Sequence, residues 1–204
     1  GWVSYEPQAE IGSNKVHWLE TTRENNWFPT GKELEKKIKL IGKNKNLILI
    51  LNSPNNPSGA VCKNLEELAK VAKKYKIMVL SDEIYTDLTF TNEYKSISKF
   101  YPELTFITGG LSKWCGAGGW RLGTIAFPNE LSQICEHVRS LASETFTSVS
   151  APIQFAAVKA YTHDHSNYLE KSRKVLKIIS NYVYQELRDS GVDCKKPEGG
   201  FYML

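Results

Sequence analysis

Two uninterrupted apolar runs limit the folds open to this chain more than any other feature. The first covers residues 47–51 (LILIL) and ends at the proline-rich stretch 52–59 (NSPNNPSG); the second covers residues 77–80 (IMVL). Unbroken apolar runs of this length are typical of strands buried on both faces of a parallel sheet. Between them, Asn64 and Glu67 form a capping-box-like helix start, and apolar residues follow at helical spacing as far as Tyr75. The order strand, helix, strand predicts a βαβ unit with parallel strands.

The rest of the chain predicts two more strands and several helices. Residues 105–108 and 123–127 should be strands, and the short glycine-rich loop between them leaves little room for a crossover helix, so this pair should be antiparallel. Weaker patterns predict short strands at 16–19 and 201–204 and a helix at 31–40. Further helices are predicted at 131–142, at 151–161 with Ser150 as N-cap, and at 168–187 before Gly191, with an apolar face of Tyr168, Val175, Ile179, Val183 and Leu187. The fold class is therefore α/β with a mostly parallel sheet.

Polar residues follow three of the predicted strands directly. Asn56 and Asp82 come after the first two strands, Tyr85 follows three positions later, and Lys113 comes after the third strand. In open α/β sheets, ligands bind at the carboxyl ends of the strands. We therefore expect these side chains to converge at one edge of the sheet.

The stretch 111–123 (LSKWCGAGGWRLG) adds a specific chemistry to this edge. Lys113 can form a Schiff base with an aldehyde, and the planar guanidinium of Arg121 suits a phosphate. A pyridine ring that carries an aldehyde and a phosphate arm would also use Asp82 at its nitrogen and donors such as Tyr85 and Asn56 at its phenolate oxygen. Taken singly, each residue also has an ordinary interpretation, such as a helix cap, a core side chain or a glycine-rich surface turn.

The motifs NSPNNPSG, SDEIY (81–85) and LSKWCGAGGWRLG, in this order, closely resemble those of the class I aminotransferases, pyridoxal-phosphate enzymes of the aspartate aminotransferase superfamily. The resemblance spans essentially the whole chain, and PEGGFY (197–202) is similar to the opening of the family's small domain. It implies a three-layer sandwich in which residues 1–160 belong to the cofactor-binding large domain. Residues 161–204 would then begin a small α+β domain.

The resemblance also implies a role for each polar residue at the sheet edge. Lys113 would carry the pyridoxal phosphate and shuttle the proton between substrate Cα and cofactor C4′. Asp82 would pair with the pyridinium nitrogen, where it helps the ring to accept electrons. Arg121 would be a ligand of the cofactor phosphate.

Three further assignments and one departure follow from the same resemblance. Tyr85 and Asn56 would donate to the phenolate oxygen, and Asn56 would also touch the substrate carboxylate. Trp2 would lie near the ring and the substrate carboxylate. Many family members have a phosphate-binding serine three positions before the lysine, where this chain has Gly110.

Some of the family's functional parts do not match any residue of this sequence. By the resemblance, the amino-terminal arm and the glycine-rich phosphate-binding turn would precede Gly1, and the arginine that grips the substrate α-carboxylate would follow Leu204. We therefore expect this chain to be part of a longer protein, to be inactive by itself, and to form a homodimer in its full-length form.

Composition argues against several other classes of protein. The net charge of +4 is small and scattered, which does not favour nucleic-acid binding. No run is long or apolar enough to span a membrane, and the start has no signal-peptide pattern. The four cysteines are widely spaced and His163 and His165 lack partners in sequence, so we expect no metal site, no disulfide framework and a cytoplasmic location.

The resemblance therefore predicts an aminotransferase that moves an amino group between an amino acid and a 2-oxo acid by a ping-pong route. Aspartate and aromatic amino acids are the candidate substrates. A β-lyase or decarboxylase of the same fold would present the same lysine and neighbours. A third hypothesis is an aminotransferase-like sensor domain of a transcriptional regulator, which would have a helix-turn-helix domain upstream.

Overall fold

A mixed sheet in the order β1-β2-β3-β4 organises the chain, of which the computed structural model describes residues 1–42, 45–91 and 94–204. The strands are β1 Ile48–Asn52, β2 Met78–Asp82, β3 Thr105–Gly110 and β4 Gly123–Ala126. β1 pairs with β2 and β2 with β3 in parallel, whereas β3 and β4 are antiparallel. The predicted βαβ unit and the predicted antiparallel pair are both confirmed.

Six α-helices accompany this sheet within the described residues. They are α1 Tyr5–Ile11, α2 Gly31–Ile41, α3 Leu65–Lys74, α4 Ser132–Thr145, α5 Ala151–Thr162 and α6 Ser166–Asp189. Short 3₁₀ turns occur at Thr86–Leu88, Ile97–Lys99, Gly118–Trp120 and Asn129–Leu131. None of the helices in this described part is long and apolar enough to cross a bilayer.

The main core lies between one face of the sheet and the helices α2 and α3. Leu49 and Val79 point to this face, and they form one buried cluster with Ile38 of α2 and Leu68 of α3. Side chains alternate along a strand, so Ile48, Ile50 and Ile125 point to the opposite face, where they are exposed. A second cluster, which includes Tyr85, Leu111, Trp114 and Ala157, packs at the carboxyl end of the strands against α5 and α6.

The helix caps differ from the sequence prediction. Asn64 makes no cap bond to α3, because its side-chain amide donates to Pro29 O at 2.8 Å, just before α2. The capping box is found at the start of α2 instead, where Glu33 N donates to Thr30 Oγ1 (3.3 Å) and Thr30 N to Glu33 Oε2 (2.7 Å). Ser150 precedes α5 without a side-chain cap bond.

Two predicted short strands are wrong, and one helix was not predicted. Residues 16–19 are irregular, and Trp18 donates its indole N–H to Glu6 of α1 at 3.1 Å instead of pairing in a sheet. Residues 201–204 form a turn and irregular chain, since Phe201 and Tyr202 pack on Tyr85. Helix α1 has only 7 residues and no side-chain cap, so its sequence signal is weak.

The apolar face predicted for the last helix is not the face that packs on the second cluster. α6 has the expected position and ends before Gly191, which adopts a left-handed conformation (φ 81°). However, Leu169 and Leu176 are the side chains that pack on the second cluster, while Val175 and Ile179 are more than half exposed. The helix therefore has two apolar stripes, one with Val175 and Ile179 and one with Leu169 and Leu176. Periodicity alone does not predict which stripe packs on the rest of the chain.

The C-terminal stretch, residues 197–202, packs very closely against the loop that follows β1. Glu198 N and Gly199 N both donate to Gly59 O, at 2.8 and 3.0 Å. A Cβ atom at position 59 would lie 2.4 Å from Pro197 Cβ and 2.6 Å from Tyr202 O. This contact leaves no room for a side chain on Gly59.

Replacement of Gly59 by alanine should therefore destabilise the chain more than the same change at Gly116. Both glycines have φ 66°, which costs an alanine about 1–2 kcal/mol, but no atom lies within 4 Å of a Cβ at position 116. The displaced Pro197 contact should add about 1–3 kcal/mol to the loss for Gly59→Ala. Urea unfolding of both variants measures the difference, and equal losses would contradict the close contact.

Candidate active site

The carboxyl ends of β1, β2 and β3 meet at one edge of the sheet. Asn52 lies opposite Asp82 in the register, and Asp82 lies opposite Thr108. Asn52 strengthens this edge, because its Nδ2 donates to Asp82 O at 3.1 Å. Parallel pairing thus places the residues that follow each strand next to one another, as the sequence predicts.

Asp82 is a half-buried carboxylate with two donors. The Tyr5 hydroxyl donates to Oδ2 at 2.5 Å, and Ile84 N donates to Oδ1 at 3.3 Å. Burial, and then the negative charge of Asp82, raise the pKa of the Tyr5 phenol well above its usual value. Tyr5 therefore keeps its proton and remains a donor to the carboxylate.

Asn56 is tied to the same edge through its backbone. Asn56 N donates to Asn52 Oδ1 at 2.8 Å, so the loop after β1 folds back over the end of its own strand. Asn55 supports this turn, since its Oδ1 accepts from Ser58 Oγ at 2.9 Å. The amide side chain of Asn56 is half-buried.

Tyr85 is buried between the two aromatic residues of the C-terminal stretch. Its ring centroid lies 5.5 Å from that of Phe201 and 5.7 Å from that of Tyr202, both in edge-on geometry. Its hydroxyl donates to the Tyr202 hydroxyl at 3.2 Å. Burial and then the Tyr202 hydroxyl raise the pKa of Tyr85, and hydrogen bonding with the Asn56 side chain opposes the rise. Tyr85 is therefore a neutral donor that neighbours Asn56.

The Lys113 amine faces aromatic rings. Nζ lies 5.6 Å from the ring centroid of Tyr85 and 5.7 Å from that of Phe201. Among the described residues, Lys113 forms no salt bridge. Lys113 itself is half-buried.

The loop that carries Lys113 is held tightly to β4. Leu111 N donates to Leu122 O at 3.3 Å, and a Cβ atom at position 110 would lie 2.7 Å from the same carbonyl oxygen. This position has φ 152°, which further disfavours a side chain. Gly110 thus permits a close strand approach that a serine in this position would disturb.

Arg121 and Trp2 lie further out. Arg121 adopts a left-handed conformation (φ 57°, ψ 48°), is exposed, and donates from Nη1 to Gly118 O at 2.6 Å. No ion pair engages it in the part of the chain that the structure describes. Trp2 is 39% exposed, and its ring meets the Tyr5 ring edge-on at 5.4 Å. Trp2 thus contacts Tyr5, which in turn donates to Asp82.

Of the predicted site residues, the structure brings Asn56, Asp82, Tyr85 and Lys113 together directly or through one neighbour. Four participants were missed by sequence reasoning: Asn52, Tyr5, Phe201 and Tyr202. Tyr5 follows Trp2 by three positions, and Phe201 and Tyr202 follow two glycines in the PEGGFY motif. Each therefore lies close in sequence to a residue or motif that had already been singled out.

A separate open cavity of about 420 Å³ lies beside this edge. Its lining consists of Glu83, Thr86, Asp87, Thr91, Tyr94 and Arg173. The predicted site residues do not line it, so it is distinct from the cluster around Lys113. In the described ranges, no group of three or more histidine, cysteine, aspartate or glutamate side chains could hold a metal ion.

The arrangement is suited to carbonyl chemistry on an aromatic ligand. An amine free of carboxylates can act as a nucleophile towards an aldehyde. The Asp82 carboxylate can accept a hydrogen bond from a protonated ring nitrogen. The aromatic side chains can pack against a planar ring.

Comparison with known proteins agrees with this geometry. The family model "Aminotransferase class I and II" matches residues 1–204. The chain is 35% identical to the aspartate aminotransferase of Thermotoga maritima and 30% identical to the aspartate/prephenate aminotransferase of Thermus thermophilus, each over the whole of this chain. It covers 52% of both relatives, so it spans about half the length of the curated relatives it matches.

Solved structures show the same likeness. The aspartate aminotransferase of Thermus thermophilus with maleate has a TM-score of 0.91 at 29% identity, over 99% of this chain and 52% of that one. An aromatic aminotransferase from Pyrococcus horikoshii has a TM-score of 0.90 at 32% identity, over 100% of this chain and 54% of that one. This likeness confirms the predicted fold class. Together with the match of the family model along residues 1–204, it shows that the chain belongs to the class I and II aminotransferase family.

Proposed function

We propose that this chain forms part of a pyridoxal-phosphate-dependent aminotransferase, which moves an amino group between an amino acid and a 2-oxo acid. One observation carries the proposal: the amine of Lys113, which forms no ion pair among the described residues, lies 5.6 Å from the ring centroid of Tyr85, and Asp82 lies at the carboxyl end of β2 at the same edge of the sheet. The family makes pyridoxal phosphate the implied cofactor, and the proposal concerns which residues of this chain hold it.

The residues present fit pyridoxal phosphate. Lys113 offers an amine to the aldehyde, and Asp82 offers a carboxylate to the ring nitrogen. Arg121 offers a guanidinium that is exposed and free of ion pairs among the described residues, as a phosphate ligand requires. When bound, the cofactor supplies an electron sink for the electron pair left when the substrate loses its Cα proton.

Each of these side chains has a distinct task in the proposed reaction. Asp82, held by the Tyr5 hydroxyl, keeps the proton on the ring nitrogen. Tyr85 and Asn56 would donate to the ring phenolate oxygen; the raised pKa of Tyr85 keeps its phenol protonated, and its hydroxyl would turn from Tyr202 to make that bond. Lys113, which would hold the cofactor through its amine, would also move the proton that leaves the substrate Cα.

The surrounding residues have a part in binding the substrate. Trp2 and Phe201 supply aromatic surfaces, and Asn56 contacts the substrate carboxylate as well as the ring oxygen. The relatives named above are an aspartate, an aspartate/prephenate and an aromatic aminotransferase. We propose that the substrate of this protein is aspartate or an aromatic amino acid.

The proposal extends to the setting of the enzyme. Apolar side chains exposed on α4, α5 and α6, such as Leu141, Phe155 and Ile178, favour association, and a homodimer is the form we propose. Free thiols at the cysteines favour a reducing, cytoplasmic location. Residues 1–160 are proposed as the cofactor-binding domain and 161–204 as the start of a smaller one.

Product analysis separates this function from its rivals. The complete protein, supplied with pyridoxal phosphate, an amino acid and 2-oxoglutarate, should form glutamate and the matching 2-oxo acid. Release of ammonia or carbon dioxide without glutamate would favour a lyase or a decarboxylase. Cofactor binding with no turnover of any substrate would favour a sensor domain.

Lys113→Ala should abolish covalent attachment of the cofactor. In the complete protein loaded with pyridoxal phosphate, borohydride reduction should fix the cofactor to the peptide that contains Lys113, because reduction makes the lysine–cofactor bond permanent. Peptide mass spectrometry locates the label. Lys159→Ala, which changes an exposed lysine on α5, should leave the label in place. Labelling that persists in Lys113→Ala would refute the assignment.

Asp82→Asn should lower kcat by about 100-fold or more, the scale of about 3 kcal/mol seen when a preorganised electrostatic partner is removed. A neutral amide stabilises a protonated ring nitrogen poorly, although it fills the same space. Tyr5→Phe removes only one bond to this carboxylate and should have a smaller effect. Steady-state kinetics and thermal unfolding give the comparison. Near-normal kcat in a folded Asp82→Asn variant would remove Asp82 from this role.

A further inference from the structure

The Glu198 carboxylate joins three segments of the chain. Its Oε2 accepts from Asn26 Nδ2 at 2.7 Å and from Val61 N at 3.1 Å, and its Oε1 pairs with Lys63 Nζ at 2.5 Å. Asn26 also donates to Val61 O at 2.9 Å. The loop before α2, the loop after β1 and the C-terminal stretch therefore meet at one side chain.

This carboxylate is shielded from water and well supplied with donors. The Glu198 side chain is 28% exposed, whereas its partner Lys63 is 72% exposed. Burial by itself would raise the pKa of Glu198, but Lys63, Asn26 and Val61 N together lower it below its usual value. The carboxylate is thus charged at neutral pH, and its bonds to Asn26 and Val61 N are the sheltered part of the network.

Backbone hydrogen bonds connect Glu198 to the residues that lead to the candidate site. Glu198 N and Gly199 N donate to Gly59 O, and Gly200 N donates to Leu88 O at 3.0 Å. Neither glycine has a side chain that could pack and hold the stretch in place. The position of the next residues therefore depends on the backbone bonds and on the Glu198 side chain.

The far end of the stretch lies against the proposed catalytic lysine. Phe201 follows Glu198 by three residues, and its ring centroid lies 5.7 Å from Lys113 Nζ. The Tyr202 hydroxyl accepts a hydrogen bond from the Tyr85 hydroxyl. A shift at Glu198 would move both aromatic rings relative to the amine, and small displacements of positioning groups can lower rates strongly.

We propose that Glu198 is a positioning residue of the candidate active site: its carboxylate fixes residues 197–202 so that Phe201 and Tyr202 stand against Tyr85 and Lys113. The inference rests on the proposed function for its effect on turnover. Its structural part, the ordering of the C-terminal stretch, can be measured without any reaction.

Hydrogen–deuterium exchange of the complete, cofactor-free protein tests the structural part. In Glu198→Ala, exchange of the Gly199 and Gly200 amides should become about tenfold faster or more, while the strands β1 to β3 stay unchanged. Glu198→Gln keeps an oxygen acceptor for Asn26 and Val61 N and should restore most of the protection. Glu66→Ala, which breaks an exposed ion pair on α3, is the matched control and should change neither region. Unchanged exchange at positions 199 and 200 in Glu198→Ala would overturn the proposal.

A double-mutant cycle on the loaded enzyme tests the link to the site. If Glu198 acts through Phe201, Glu198→Ala and Phe201→Ala should each lower kcat/KM by about tenfold or more, and the double variant should be no worse than the poorer single one. Additive losses would show that Glu198 acts elsewhere and would overturn the proposal. If the unchanged enzyme shows no transamination, the proposed function fails instead, and the exchange result still decides the anchoring role.

Discussion

Parallel pairing of β1, β2 and β3 is the constraint on which the candidate site depends. Because the three strands run in the same direction, their carboxyl ends lie side by side, and Asn52, Asp82 and Thr108 share one line of the register. An antiparallel arrangement of β1 and β2 would place Asp82 at the far edge from Asn56. The burial of Leu49, Val79 and Leu68 against one face of the sheet stabilises this arrangement.

The chemistry of the edge comes from side chains that reach it from outside the sheet. Tyr5 arrives from α1 and donates to Asp82, and Phe201 and Tyr202 arrive from the C-terminal stretch to enclose Tyr85. The Tyr5 phenol keeps its proton beside the Asp82 carboxylate, so this edge of the sheet has a hydrogen-bond donor next to an anion. Lys113 completes the set with an amine whose Nζ lies 5.6 Å from the ring centroid of Tyr85.

Sequence patterns predicted the sheet well, since unbroken apolar runs and a glycine-rich loop have strong local signatures. They also predicted that Lys113, Asp82, Tyr85 and Asn56 lie at one edge of the sheet, because each follows a recognisable strand. They failed where contacts are long-range. Asn64 donates its amide to Pro29 O instead of capping α3. Residues 201–204 do not form a strand, and the side chains of Phe201 and Tyr202 pack on Tyr85 instead. Tyr5 and Glu198 act through partners 77 and 137 positions away, which periodicity does not reveal.

A crystal structure of the complete protein with pyridoxal phosphate bound would show whether the strand ends of this sheet hold one cofactor. We expect continuous electron density between Lys113 Nζ and the cofactor, a carboxylate oxygen of Asp82 within hydrogen-bonding distance of the ring nitrogen, and the Arg121 guanidinium on the phosphate. A cofactor joined to another lysine, or a ring nitrogen that faces a residue other than Asp82, would contradict this expectation.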